Sequence, residues 1–237
     1  MLILGIDSST ESGALGLYRQ EEGIIGEVFT CLPQTHSQRL MPELDHMLKG
    51  AHLQVEDLDG IAVTVGPGSF TGIRIGIATA RTLAQVLDIP LVGVSTLRLL
   101  AENIRYSSSV ILPLLDARGG RVYAGFYQQG KEVMESFHDQ GLFTPHEVSA
   151  ILKEHEVASA LFFGSGLLEY SSYFMGDNSY NLLLEKDAPE HYPHGGLLAR
   201  IGYQRIKDQN YSSLYSLQPN YLKESSAVRK REREGNG

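Results

Sequence analysis

The stretch LILGIDSSTESGALGLYRQEEG, residues 2–23, has a later counterpart in VILPLLDARGGRVYAGFYQQGK, residues 110–131. In each, an apolar run ends in an aspartate (Asp7, Asp116), a small-residue turn follows, and a second run resumes, which predicts a β-hairpin. Counting from the aspartate, a glycine falls nine residues on (Gly16, Gly125) and a tyrosine eleven on (Tyr18, Tyr127), with no gap. A second echo comes in the same order. DGIAVTVGPGS runs apolar into Gly66-Pro67-Gly68, and ASALFFGSGLL into Gly164-Ser165-Gly166. Hairpin, helical material and a buried strand ending in Gly-x-Gly thus occur twice, which predicts a duplicated α/β domain.

Between these landmarks, THSQRLMPELDHMLKGA (35–51) sets Leu40, Met41, Leu44, Met47 and Leu48 at helical spacing. Thr35 and Gln38 suit a capping box. Pro42 fits only the first turn or a kink, because an interior proline costs about 3 kcal/mol. VGPGSFTGIRIGIATARTLA (65–84) reads as a glycine-rich loop opening a second helix that stops before Pro90, and IPLVGVS as a buried strand. TPHEVSAILKEH and GGLLARIGYQRIKDQ read as helices of the second half, and YSSS loosens the pattern between the halves. The expected units are 1–105, 106–222 (its last helix a candidate for packing back on the first unit) and a flexible tail, 223–237.

The 237-residue chain is large enough to bury an ample core, and its net charge of −8 argues against a broad nucleic-acid surface. Its basic residues concentrate in LKESSAVRKREREG, where Glu224, Glu232 and Glu234 dilute them, as in a solvated tail. No apolar run approaches the roughly 20 residues of a membrane span. Met1–Ile6 is too short for a signal peptide's apolar segment. One cysteine, Cys31, excludes an internal disulfide framework and a multi-cysteine zinc site. The expectation is a cytoplasmic protein without membrane contact.

The loop in 65–84 invites a phosphate reading that its spacing does not support. A Walker loop requires a lysine after its last glycine, but Ile73 follows Gly72, and no lysine occurs from Gly50 to Gly130. Thr71 stands where a dinucleotide fingerprint needs its third glycine. Helix N-terminal amides still attract anions, so a weak nucleotide contact at Asp7, Ser8, Ser9, Gly66 and Gly68 stays open. Along the helix, Gly72, Gly76, Ala80 and Ala84 form a smooth ridge. Each interior glycine costs about 1 kcal/mol against alanine, so the ridge implies close approach of another backbone, the chain's own sheet or a partner. The histidines form no His-x-x-x-His pair. His191 and His194 flank Tyr192-Pro193 in a loop, and Ser8-Ser9-Thr10 suits turn chemistry.

LGIDSST, HSQRLMPELDHML, VGPGSFTGIRIGIATARTLA, GVSTL, LDARGGRVYAG and QPNYLKESSA, in order from Leu4 to Ala227, resemble the TsaB (YeaZ) family. The resemblance implies an α/β, actin-like/sugar-kinase-like ATPase fold of two duplicated ribonuclease-H-like domains. It also implies a role in forming threonylcarbamoyladenosine in tRNA, as the non-catalytic paralogue that pairs with TsaD and joins the ATPase TsaE. ATP and a metal are then expected on those partners, with no cofactor here, tRNA contacted only indirectly, and a homodimer when isolated. The family pairs through its two first-domain helices. That makes His36, Leu40, Leu44, Met47, Phe70, Gly72, Ile73, Gly76, Ile77 and Ala80 the expected interface. Asp116-Ala117-Arg118 matches a further family motif, with an inter-domain or TsaE-side role. The alternative is an autonomous ATP-dependent kinase or ATPase of the same fold, using Asp7 and the Gly66–Gly72 loop.

Overall fold

The computed structural model describes residues 1–31, 36–104, 107–130, 134–211, 214 and 216–222, with His36 described by its backbone. The first half runs β1 (Leu2–Asp7), β2 (Gly13–Arg19), β3 (Gly23–Thr30), α1 (His36–Gly50), β4 (Gly60–Gly66), α2 (Phe70–Leu87), β5 (Leu91–Ser95), α3 (Thr96–Ala101). The second runs β6 (Val110–Asp116), β7 (Val122–Gln129), β8 (Met134–Phe143), α4 (Pro145–Glu154), β9 (Ala160–Phe163), α5 (Ser165–Tyr170), β10 (Tyr180–Leu182), α6 (Gly195–Lys207). The two sheets have the same order, β3-β2-β1-β4-β5 and β8-β7-β6-β9-β10. In each, an antiparallel hairpin is extended by parallel strands. The duplication read from two short echoes is therefore present in the topology.

Strand periodicity explains how each sheet serves two cores. Along β1, Leu2, Leu4 and Ile6 join the core with α1 and α2, through Leu44, Ile73 and Ile77. Ile3 points the other way, into a core with Val92, Leu198, Ala199 and Tyr203. Every β1 residue is buried as a result. On β6, Leu112 and Leu114 meet Val148 and Leu152 of α4, while Ile111 and Leu115 meet Leu97, Leu100 and Ala101 of α3. The last helix of each half thus lies on the sheet of the other: α3 on β6–β7, α6 on β1–β2 and β4.

The repeated glycines now have a cause. A Cβ on Gly16 would overlap Gly195 and Gly196, and one on Gly5 would overlap the Gly195 carbonyl. A Cβ on Gly125, the counterpart of Gly16, would come within 3.2 Å of Leu97 on α3. Each marks where the other half's helix rides on the sheet.

Pro42 lies well inside α1, beyond the first turn, which was one of the two settings that the sequence reading allowed, the other being a kink. The Thr35 capping box lies outside the described residues. In the second half, the side chain of Thr144 does cap α4, in a reciprocal box with Glu147.

Candidate functional site

At the end of β1, Asp7, Ser8 and Ser9 are buried. The Asp7 Oδ1 accepts from Ser9 Oγ at 2.6 Å and from Thr64 Oγ1 of β4 at 2.6 Å. Ser8 Oγ donates to the Gly72 carbonyl at 2.8 Å. The Ser69 amide donates to the Ser9 carbonyl at 2.7 Å, while the Ser69 hydroxyl caps α2 by accepting from the Gly72 amide. A Cβ on Gly68 would overlap the Ser9 carbonyl oxygen. The first hairpin turn is therefore packed directly against the loop, with the Ser9 carbonyl oxygen lying over Gly68. The residues of the expected weak nucleotide contact, Asp7, Ser8, Ser9, Gly66 and Gly68, thus belong to a turn and a loop packed against each other. The serine hydroxyls are engaged within the fold, and a Cβ on Gly66 (φ +101°) would lie 3.0 Å from the Asn220 carbonyl oxygen.

The second half repeats this closure with different chemistry. Gly164, at φ +95°, occupies the place of Gly66, and a Cβ there would overlap the Leu114 carbonyl. Its amide donates to His191 Nδ1 at 2.8 Å, so the proton sits on Nε2, which donates to the Glu185 carbonyl at 2.8 Å. His191 is buried and structural. The Asp116 carboxylate accepts from the Arg118 amide at 2.7 Å and from the Tyr170 hydroxyl at 3.2 Å.

His194 serves a different contact. Its Nδ1 lies 3.4 Å from the Glu27 carboxylate, which also accepts from the Gly196 amide at 3.0 Å. A carboxylate from β3 thus caps α6, where the helix dipole favours negative charge. Burial pushes the Glu27 carboxyl up, but the His194 and glycine hydrogen bonds outweigh it and hold the group below its usual range. The hydrogen bond to Glu27 raises His194 against burial. Among the described residues, no three His, Cys, Asp or Glu side chains are grouped to hold a metal ion.

The first-domain helices turn most of the expected interface inward. Leu40, Leu44, Met47, Gly72, Ile73, Gly76, Ile77 and Ala80 are all buried in the chain's own core. A Cβ on Gly76 would overlap the Ser8 hydroxyl, so the small-residue ridge admits the protein's own hairpin turn. Of the expected interface, Phe70 alone is exposed among the described side chains, at 37%, and the His36 side chain lies outside them. The outward faces instead show Met41 at 47% and Val86 at 78%.

Sequence reasoning missed the strap that follows α6. The Asn220 amide donates to the Val65 carbonyl at 2.7 Å, Leu217 covers Gly93, and Arg81 donates to the Leu217 carbonyl. Arg74 Nε donates to the Tyr221 hydroxyl at 2.8 Å, with its guanidinium 3.8 Å above the Phe70 ring. The strap thereby anchors the end of the second half to α2. No periodicity marks it; its only signal was the QPNYLKESSA stretch.

A protein-family model described as "TsaD: tRNA N6-adenosine threonylcarbamoyltransferase" matches residues 18–224. With the paired, identically ordered sheets, this defines the class: an actin-like, sugar-kinase-like fold of two ribonuclease-H-like halves. Within that class, the chain is 34% identical to "tRNA threonylcarbamoyladenosine biosynthesis protein TsaB" of Bacillus subtilis, over 97% of each chain. It is 34% identical to the Escherichia coli protein of the same description, over 65% of this chain and 63% of that one. The solved structure "YeaZ from Pseudomonas aeruginosa" superposes with a TM-score of 0.77 at 26% identity, covering 93% of this chain and all of that one. The chain belongs to the TsaB (YeaZ) family. No helix among the described residues is long and apolar enough to cross a membrane.

Proposed function

We propose that this protein is a non-catalytic pairing subunit in the formation of threonylcarbamoyladenosine in tRNA. It binds a TsaD-type transferase, and TsaE joins the pair. The observation that carries this reading is the similarity to the Bacillus subtilis biosynthesis protein along nearly the whole of both chains. The closed turn supports the same view, since Ser9 occupies the approach to the Gly66–Gly68 loop that an ATP-dependent kinase would need open. Pairing uses the outward sides of α1 and α2, around Met41, Phe70, Arg74 and Val86, and the same surface makes a homodimer when the partner is absent. ATP and metal belong to the partners, and tRNA is reached through them, in the cytoplasm.

Reconstitution tests this. TsaD, TsaE and supplied threonylcarbamoyl-adenylate should modify tRNA only when this chain is added, and the chain alone should neither modify tRNA nor hydrolyse ATP. Full activity without it overturns the proposal. ATP turnover by the chain alone, abolished by Asp7→Ala, establishes the kinase alternative.

A further inference from the structure

Tyr221 is 40% exposed and Phe70 37%, yet their rings are stacked with centroids 4.8 Å apart and planes 30° from parallel. Arg74, also exposed, completes the group: its guanidinium lies on the Phe70 ring while its Nε donates to the Tyr221 hydroxyl at 2.8 Å. Phe70 and Arg74 open α2, whereas Tyr221 belongs to the strap after α6, 147 residues beyond Arg74. The strap is fastened by other residues. The Asn220 amide bonds to the Val65 carbonyl, Leu217 covers Gly93, and half-buried Leu222 packs against the cluster of Leu97, Ile111 and Leu115. These anchors turn inward and leave the Tyr221 ring outside. Contacts among exposed side chains add little to folding, because water competes for them and ordering long side chains costs entropy. Tyrosine, arginine and phenylalanine held in one pose at a surface are instead the material of a protein–protein contact, with the ordering cost met before the partner arrives.

We infer that Tyr221 is a positioning residue of the pairing face, holding Arg74 and Phe70 from the strap in the pose that the TsaD-type partner meets. The inference rests on the pairing reading, which already places Phe70 and Arg74 in that contact. Its addition is that the second half supplies part of the surface. Without the Tyr221 hydroxyl, the Arg74 side chain is free to extend into water, as long charged side chains do. With it, guanidinium and two rings form one flat plate, which fits an apolar side chain of the partner better than a mobile charge would. Pairing then depends on a residue that reaches α2 only when the strap has closed.

The test is a double-mutant cycle in the full-length chain, combining Tyr221→Phe, which keeps the ring and removes the bond, with Arg74→Ala. Wild type, both single variants and the double variant are titrated with TsaD by calorimetry, and each is unfolded thermally on its own. Tyr221→Phe should weaken TsaD binding by about fivefold, and Arg74→Ala by as much or more. The double variant should bind about as well as Arg74→Ala alone, because Tyr221 acts through Arg74. The Tm of every isolated variant should stay within about 2 °C of wild type. Unchanged affinity in Tyr221→Phe, losses that multiply in the double variant, or a Tm that falls in step with affinity each overturn the inference and leave the pairing reading standing. Wild type that does not bind TsaD overturns the pairing reading, and this inference with it.

Discussion

A methyl group added at Gly76 has nowhere to go, because the Ser8 hydroxyl already fills the space and donates from there to Gly72. Gly76→Leu should therefore cost more than about 2 kcal/mol in urea denaturation. A stability within 0.5 kcal/mol of wild type, roughly the scale of a neutral surface change, would contradict the inward ridge. That the ridge serves close approach was legible in the spacing of Gly72, Gly76, Ala80 and Ala84; its direction was not. Ile73 and Ile77 flank it with equally apolar surface, and only the sheet order decides which flank the chain itself covers. Thr64 was invisible for a similar reason. Inside an apolar strand it reads as β-propensity, and its bond to Asp7 depends on β4 lying beside β1. His191→Ala should lose about 1–3 kcal/mol, because the Gly164 amide and the Glu185 carbonyl would lose their partner.

Helices α1 and α2 each have one face in the core and one in solvent, so substitutions on the two faces should separate folding from pairing. Met41→Glu and Val86→Glu, on the outward faces, should leave the melting temperature within a few degrees and weaken binding to TsaD by about tenfold. Binding unaffected by both would move the pairing surface elsewhere.

The cap on α6 carries a pH signature of its own. Glu27 is held below its ordinary 4.5, so its contribution is complete above that value and is lost as pH falls through the depressed one. His194 is raised above its ordinary 6.5, so its contribution is complete below 6.5 and is lost as pH rises through the raised value. The pair is worth most between those ordinary values, by less than about 1 kcal/mol given its partial exposure. Melting temperatures should decline slightly from pH 6.5 upward, and Glu27→Gln should flatten that decline. An identical slope in the variant would remove the pair from the account.

Across the whole molecule, the duplication was legible because Asp-to-Gly and Asp-to-Tyr spacings survive in both hairpins. Of the exchange of helices between the halves, the sequence offered only the last helix as a candidate for crossing and gave no sign of α3 on β6–β7. Gly195 and Gly196 look like a poor helix start until the backbones of Gly5 and Gly16 are seen against them. A fragment of residues 1–105 keeps every strand of the first sheet but lacks α6, leaving Ile3, Ala62, Val92 and Val94 uncovered on one face. It should scatter light and lack the near-ultraviolet dichroism of packed aromatics. A soluble, cooperatively unfolding fragment would show that the first half closes its core by itself.

The reach of α6 also bears on the order in which the chain is made. Its first turn bonds to Glu27, 169 residues earlier in the sequence. During synthesis, the first sheet emerges and pairs its strands long before the helix that seals it exists. Contacts so distant along the chain slow folding and leave apolar surface open in the interval. A ribosome that stops anywhere short of Gly195 releases a product with that face bare, a mark by which proteases and chaperones distinguish an unfinished copy from a finished one.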